Sequence, residues 1–198
     1  MMPILILAAG ASSRMRGRDK LLMEVAGQPL IENRVQMALA VSDDVRVALP
    51  PEPHARHGHV QDPAQKVSVP DASEGIAASL RRLFATLAPD TPHALVLLAD
   101  LPEITADDLR TVIDATRSHP NATVWRGATE DGKPGHPLII GHPLFPAFRA
   151  LTGDAGGQHI LAAHTHKPHL VRLPAQRARL DLDTPEDWAA WRAANADA

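Results

Sequence analysis

Two stretches of the chain, "PILILA" at 3–8 and "HALVLLA" at 93–99, are almost continuously apolar. A strand without polar alternation must be covered on both faces, which happens when helices flank a parallel sheet. "DVRVAL" (44–49) and "QKVSV" (65–69) are two further strand candidates, and helical patterns fall between the strands. After Pro29, the residues Ile31, Val35, Ala38 and Leu39 share one face. In "EGIAASLRRLFATLA" the apolar face is Ile76, Leu80, Leu83, Phe84 and Leu87. In "TADDLRTVIDATRSH" it is Leu109, Val112, Ile113 and Thr116, with Thr105 able to cap the start. "DTPEDWAAWRAA" offers Thr184 as N-cap and Pro185 at the first helical position, with Asp187 closing the first turn. Near the middle, "NATVWRG" and "HPLIIG" flank the turn-forming "ATEDGKPG", which reads as a hairpin or a pair of antiparallel strands. The expected fold is α/β: one Rossmann-like domain over residues 1–198, three layers deep, with a mostly parallel sheet and a small antiparallel portion.

Composition excludes several function classes. The net charge of −3 gives no bulk attraction to nucleic acid or an anionic membrane. The chain has only three Trp, three Phe and no Tyr, which further weakens an RNA-binding reading. No apolar run approaches the roughly 18 residues of a membrane span. "MMPILILAAG" lacks a cationic n-region, so secretion is not expected. Cysteine is absent, which rules out disulfides and thiolate metal sites and fits a cytoplasmic location.

The first strand runs into "LAAGASSRMRGRDKLL". Ligands of open α/β sheets gather beyond the carboxyl ends of the strands, and this loop leaves such an end. Leu7, Ala8, Ala9, Gly10, Ala11, Ser12 and Ser13 are followed by Arg14, Arg16, Arg18 and Lys20. Small side chains let backbone N–H groups approach an anion. Arg14 can fork onto phosphate oxygens and Lys20 can add a point charge. The P-loop pattern and the GxGxxG fingerprint are both absent. The residues alone fit either a phosphate cradle or a solvated basic loop.

The loop resembles the LAAGxSxRMG…K signature of the nucleotidyltransferases related to molybdenum cofactor cytidylyltransferase and molybdopterin-guanine dinucleotide synthase. "PDASEGIAASL" (70–80), "LLADLPEIT" (97–105), "GKPGHPLII" (132–140), "LTGDAGGQHIL" (151–161) and "LDLDTPEDW" (180–188) resemble further segments of that family, in the same order. The resemblance implies a fold of the nucleotide-diphospho-sugar transferase type. It also implies transfer of a nucleoside monophosphate from an NTP to the terminal phosphate of a molybdopterin-type cofactor, with release of pyrophosphate. Mg²⁺ or Mn²⁺ is the implied cofactor, and a molybdoenzyme or maturation factor is a candidate partner. The sequence departs from the family in two places. One extra residue lies between Met15 and Lys20. Gly157 and Gln158 stand where many relatives carry Ala and Arg, so an acceptor-side contact is either lost or supplied from elsewhere.

Under this resemblance Arg14, Lys20 and Asp100 are the catalytic candidates. Asp100 directly follows an apolar strand and faces the expected crevice, and Thr105 already serves as the cap of the next helix. Asp181 and Asp183 share parity on an expected strand, and one of them is expected to complete a metal site with Asp100; Asp183, nearer the strand end, is preferred, with a capping role as its alternative. One or two carboxylates plus substrate phosphates suffice for Mg²⁺. "LAAG" resembles the CTP users of the family, whereas GTP users tend to read Leu-Ala-Gly-Gly. CTP is therefore the expected donor, with GTP, or a sugar- or alcohol-phosphate acceptor, as the alternative. Ser79 is either a base or ribose contact or a tolerated polar residue on a helix. His136 either meets the acceptor or bonds a turn, and Asp154 is a second acceptor-side candidate.

The chain carries 11 histidines. The clusters His54, His57, His59 and His164, His166, His169 lack the helical spacing of a zinc site and are expected to be solvated loop residues. Trp188 and Trp191 read as core or dimer-contact residues. A reading of another class, a non-catalytic nucleotide sensor or a molybdoenzyme maturation chaperone, would not need the Asp100 metal site.

Overall fold

The computed structural model describes residues 1–153, 156–164 and 167–195. Strands β1 (Ile4–Leu7), β2 (Glu24–Val25) and β3 (Gln28–Pro29) precede helix α1 (Leu30–Leu39). Then come β4 (Val45–Leu49), β5 (Gln65–Ser68), α2 (Ile76–Ala85), β6 (His93–Leu98) and α3 (Ala106–Ser118). The second half holds β7 (Val124–Ala128), β8 (Pro134–Gly141), α4 (Phe145–Arg149), α5 (Gln158–Ala163), β9 (His169–Arg172) and α6 (Pro185–Ala194).

The sheet has seven strands in the order β5-β4-β1-β6-β8-β7-β9. β5, β4, β1 and β6 run parallel, β8 is antiparallel to both of its neighbours, and β9 returns parallel to β7. The expected mostly parallel sheet with an antiparallel portion is what forms.

The apolar strands are covered on both sides. On β1, Ile4 and Ile6 join a core with Leu30, Ile31 and Val35 of α1, Leu109 and Val112 of α3, and Trp188 of α6. Leu5 joins the opposite core with Leu80, Leu83 and Phe84 of α2 and Phe148 of α4. Alternate residues of one strand thus feed two hydrophobic layers, giving helix, sheet, helix. Both long helices with predicted caps are closed by full capping boxes, Thr105 with Asp108 and Thr184 with Asp187. Among the described residues, no helix is long and apolar enough to cross a membrane.

Several expectations need correction. Ile76 was placed on the buried face of α2, but it is 41% exposed at the helix start. Residues 181–183 form no strand, so the parity argument for Asp181 and Asp183 does not apply. The segment is held by the Leu182 N–H, which donates to Asp100 O at 3.4 Å, and by the α6 capping box. His169 is not a loop residue: it opens β9 and stacks on His119, with ring centroids 3.6 Å apart. His166 lies outside the described residues. Trp188 is a core residue, and Trp191 beside it donates its indole N–H to Glu103 at 3.0 Å.

Close backbone crossings fix the β8 side of the sheet. At Gly135 an added Cβ would lie 2.1 Å from the carbonyl oxygen of Ala178, and at Gly127 one would lie 2.5 Å from that of His136. The glycine at 135 lets the 176–179 turn lie directly on β8, where the His136 N–H donates to Ala178 O at 2.7 Å. Gly135→Ala is expected to lower stability by about 1–3 kcal/mol, as overpacking against immobile backbone does. Thermal or urea unfolding checks this, and an unchanged midpoint would show that the turn is free to move away.

Candidate active site

β1 and β6 are parallel neighbours in register, with Leu7 opposite Leu98. Their carboxyl ends therefore lie side by side, and the loop after β1 meets Asp100 just beyond β6. Residues 7–14, Lys20, Ser79, Asp100 and Asp183 all line one cavity of about 410 Å³. Its opposite wall is the start of α2, with Gly75 and the exposed Ile76. The nucleotide and metal candidates named from the sequence are thus brought together. Asp154 lies outside the described residues.

The loop is anchored by a residue that the sequence reading passed over. Arg56 is 1% exposed and sits in a short helical turn, Ala55–His59, within the histidine-rich segment. Its guanidinium donates to the carbonyls of Ala8 at 2.6 Å and Gly10 at 2.8 Å. It also donates to both oxygens of Asp19 at 2.7 Å and to the Ser12 hydroxyl at 3.1 Å. Burial works against ionised Asp19, but Arg56 overcomes it and holds the carboxyl below its usual range. In a trans peptide the N–H points away from the carbonyl oxygen. Fixing the oxygens of Ala8 and Gly10 therefore turns the N–H groups of Ala9 and Ala11 away from Arg56. The N–H groups of Ala9, Gly10 and Ala11 have no acceptor among the described residues. Successive unpaired backbone donors in a concave loop form an anion-binding nest. At Gly10 an added Cβ would meet nothing within 4 Å, so no protein neighbour explains its small size.

The structure separates the four cations of the loop. Lys20 donates to Asp100 at 2.5 Å and to Asp183 at 2.6 Å. Arg14 is bonded to the other oxygen of Asp183. Arg16 turns outward to Glu186, where both partners are solvated and the pair contributes little. Arg18 is exposed, with no ion-pair partner among the described residues. The backbone is left-handed at Arg16 and Gly17, while Met15 is fully buried and pins the turn.

Burial disfavours the Lys20 charge, yet Asp100 and Asp183 outweigh it and raise its pKa. Burial likewise opposes ionised Asp183, and Lys20 with Arg14 reverses the effect and lowers it. Asp181 behaves differently: burial raises it, and the charges of Asp183 and Asp100 add to the rise. Asp183, not Asp181, lines the cavity.

The donor set suits a hard divalent cation. Asp100 Oδ1 is buried and has no partner among the described residues. Two carboxylates converge on one point and already share a cation there. Among the described residues no group of three or more His, Asp or Glu could enclose a metal, so substrate oxygens would have to complete the shell. Arg34 of α1, which the sequence reading also passed over, holds the turn after Asp100 by donating to Leu101 O at 2.8 Å and Ile104 O at 2.6 Å.

His136 lines a second cavity of about 180 Å³, which shares Leu7 and Ile76 with the first. Burial pushes its imidazole down to about 4; the Arg126 charge adds to this, and a contact to the Val96 backbone opposes it. Its Nδ1 has no partner among the described residues.

Arg56→Gln is expected to cost about 3 kcal/mol or more, because Asp19 is left without its charge partner. Arg56→Lys should recover only part of this, since a point charge cannot span carbonyls and carboxylate together; urea unfolding reads both. His136 should titrate by NMR with a midpoint near 4 rather than near its ordinary 6.5. Because the folded value is depressed, the stabilisation from neutral His136 is complete above 6.5 and fades as pH falls toward 4. His136→Gln should flatten that part of the stability curve.

Residues 4–168 match the family described as the MobA-like NTP transferase domain. A probable molybdenum cofactor guanylyltransferase of Natronomonas pharaonis is 29% identical over 195 residues, 92% of each chain. The solved homologue of Rv0371c from Mycobacterium sp. strain JC1 superposes with a TM-score of 0.84 at 27% identity, over 98% of this chain and 96% of that one. The manganese complex of Rv0371c from Mycobacterium tuberculosis shares the fold, with a TM-score of 0.78 at 23% identity over 96% of each chain. A cavity of about 410 Å³ at the strand ends, a nest of backbone donors and a match over most of the sequence agree: this chain belongs to the MobA-like NTP transferase domain family.

Proposed function

We propose that the chain transfers a nucleoside monophosphate from an NTP to the terminal phosphate of a molybdenum cofactor precursor of the molybdopterin type, releasing pyrophosphate. The observation that carries this reading is the pairing of the unpaired N–H groups of residues 9–11 with Lys20, Asp100 and Asp183 on one cavity. A sensor would need the nest; it would not need two carboxylates converging beside it.

In the transfer, an oxygen of the acceptor phosphate forms a bond to the α-phosphorus, in line with the α–β bridging oxygen. The bond to that oxygen breaks, and pyrophosphate carries away the electron pair. The acceptor phosphate is already anionic at neutral pH, so no protein base is required. The barrier lies in bringing anions together while charge grows on the leaving group. The backbone donors of residues 9–11 hold the phosphates, and Arg14 and Lys20 balance their charge before the reaction begins. Asp100 and Asp183 would hold the divalent cation, which when bound neutralises triphosphate charge as a Lewis acid. Ser79, buried on the α2 wall, is the side chain we assign to the sugar or base. His136, neutral and with Nδ1 unpaired, accepts a hydrogen bond from the acceptor.

For the donor, the relative's name favours GTP, which corrects the weight that "LAAG" gave to CTP. Pyrophosphate release from each of the four NTPs, with Mg²⁺ or Mn²⁺ and a molybdopterin source, tests the proposal. GTP is expected to be preferred; preference for CTP would reinstate the reading of the loop, and turnover with none would favour the sensor. Asp100→Asn is expected to lower kcat by at least about 10²-fold while leaving the melting curve cooperative. Retained turnover in that variant would reject the role given to Asp100.

A further inference from the structure

The cleft continues past His136. A third cavity of about 430 Å³ is lined by Arg126, Pro134, Gln158 and Arg179, and it shares Arg126 and Gln158 with the cavity of His136. Arg126 projects from β7 and donates its Nε–H to Gly135 O at 2.9 Å. Arg179 comes from the turn lying on β8 and donates to Pro134 O at 3.1 Å. Two guanidiniums are thus suspended from successive carbonyls of one strand. Neither has a carboxylate partner among the described residues, whereas Arg14, the arginine of the first cavity, is paired with Asp183.

Like charges held together without a counter-ion repel, and the repulsion is felt here: burial lowers the pKa of Arg126, and Arg179 adds to the fall. The fold nevertheless builds the pair with care. The approach of Arg179 depends on the direct seating of its turn over Gly135, where no side chain fits. A cation pair of one half-buried and one exposed guanidinium with spare N–H donors is matched by an anion, which both donor forks can bind bidentately.

We propose that Arg126 and Arg179 form an anion subsite for the acceptor, gripping a negatively charged group distinct from the phosphate that is nucleotidylated. Its identification with the acceptor rests on the transfer reaction proposed above; the anion subsite itself does not. The acceptor then spans the cleft, with its reacting phosphate at the Lys20 and Asp100 end, its middle passing His136, and its second anionic group between the two guanidiniums.

Two measurements separate the claims. In the first, protein with ¹⁵N-labelled arginine is titrated with inorganic phosphate at saturating GTP and Mg²⁺, so that the nucleotide cavity is filled. The Arg126 and Arg179 Nε–H signals are expected to shift, and Arg179→Gln should abolish the shift of Arg126. In the second, Arg179→Gln, an exposed position expected to fold normally, is assayed with GTP and a molybdopterin source. The KM for the acceptor should rise about tenfold, as loss of a charged hydrogen bond does, while the KM for GTP stays unchanged. Phosphate-induced shifts without turnover of molybdopterin would uphold the anion subsite and reject the acceptor named above. No shift of either arginine signal would overturn the subsite, and turnover with an unchanged acceptor KM would overturn its assignment to the acceptor.

Discussion

The buried guanidinium of Arg56 is the interaction on which the site depends. Ordinarily the backbone at a strand end is free to turn its carbonyls toward either face. Here Arg56 collects the oxygens of Ala8 and Gly10 and ties Asp19 and Ser12 into the same network. That single cation decides which way the peptide planes face, and so whether the loop offers oxygens or N–H groups to the cavity. Burying such a charge is tolerable only because nearly every donor is matched and Asp19 supplies the counter-charge. The loop needs no glycine fingerprint for its shape, because the orientation is imposed from behind.

A second arrangement follows from sheet order. Parallel registry of β1 with β6 places Leu7 beside Leu98, so the donor loop and Asp100 are neighbours although far apart in sequence. Leu182 then bonds to Asp100 O and brings Asp183 into the cluster from the far end of the chain. Three distant segments converge on one ammonium. Opposite charges are balanced locally, which allows a carboxylate pair to persist at a half-buried position.

Much of this was legible in the sequence because its signals are local. Continuous apolar runs announced β1 and β6, and the threonine caps at 105 and 184 with the apolar spacing behind Thr105 announced α3 and α6. Residues 7–14 and Asp100 could be placed at the crevice because strand ends are where α/β ligands gather. What escaped were residues whose partners are backbone atoms far away in sequence. Arg56 sits among histidines with no periodicity to mark it, and Arg34 on α1 looks like an ordinary surface arginine. Asp181 and Asp183 were assigned by strand alternation, but their segment is held by two backbone bonds, Asp181 N–H to Arg179 O and Leu182 N–H to Asp100 O, and by a capping box, which impose no alternation. Ile76 fits an apolar helical face by spacing, yet the first turn of α2 stands over the cavity and leaves that side chain open.

Reversal of β8 has a last consequence. Where the flanking strands present their carboxyl ends, this strand presents its beginning, so His136 and the carbonyls that carry Arg126 and Arg179 lie at the same rim as Asp100. One half of the cleft is therefore assembled from residues before 101, apart from Asp183, and the other mostly from residues after 125, with Leu7 and Ile76 as the shared wall. The two halves are thus largely separate along the chain, so substitutions beside β8 can reshape the second cavity without touching the loop after β1.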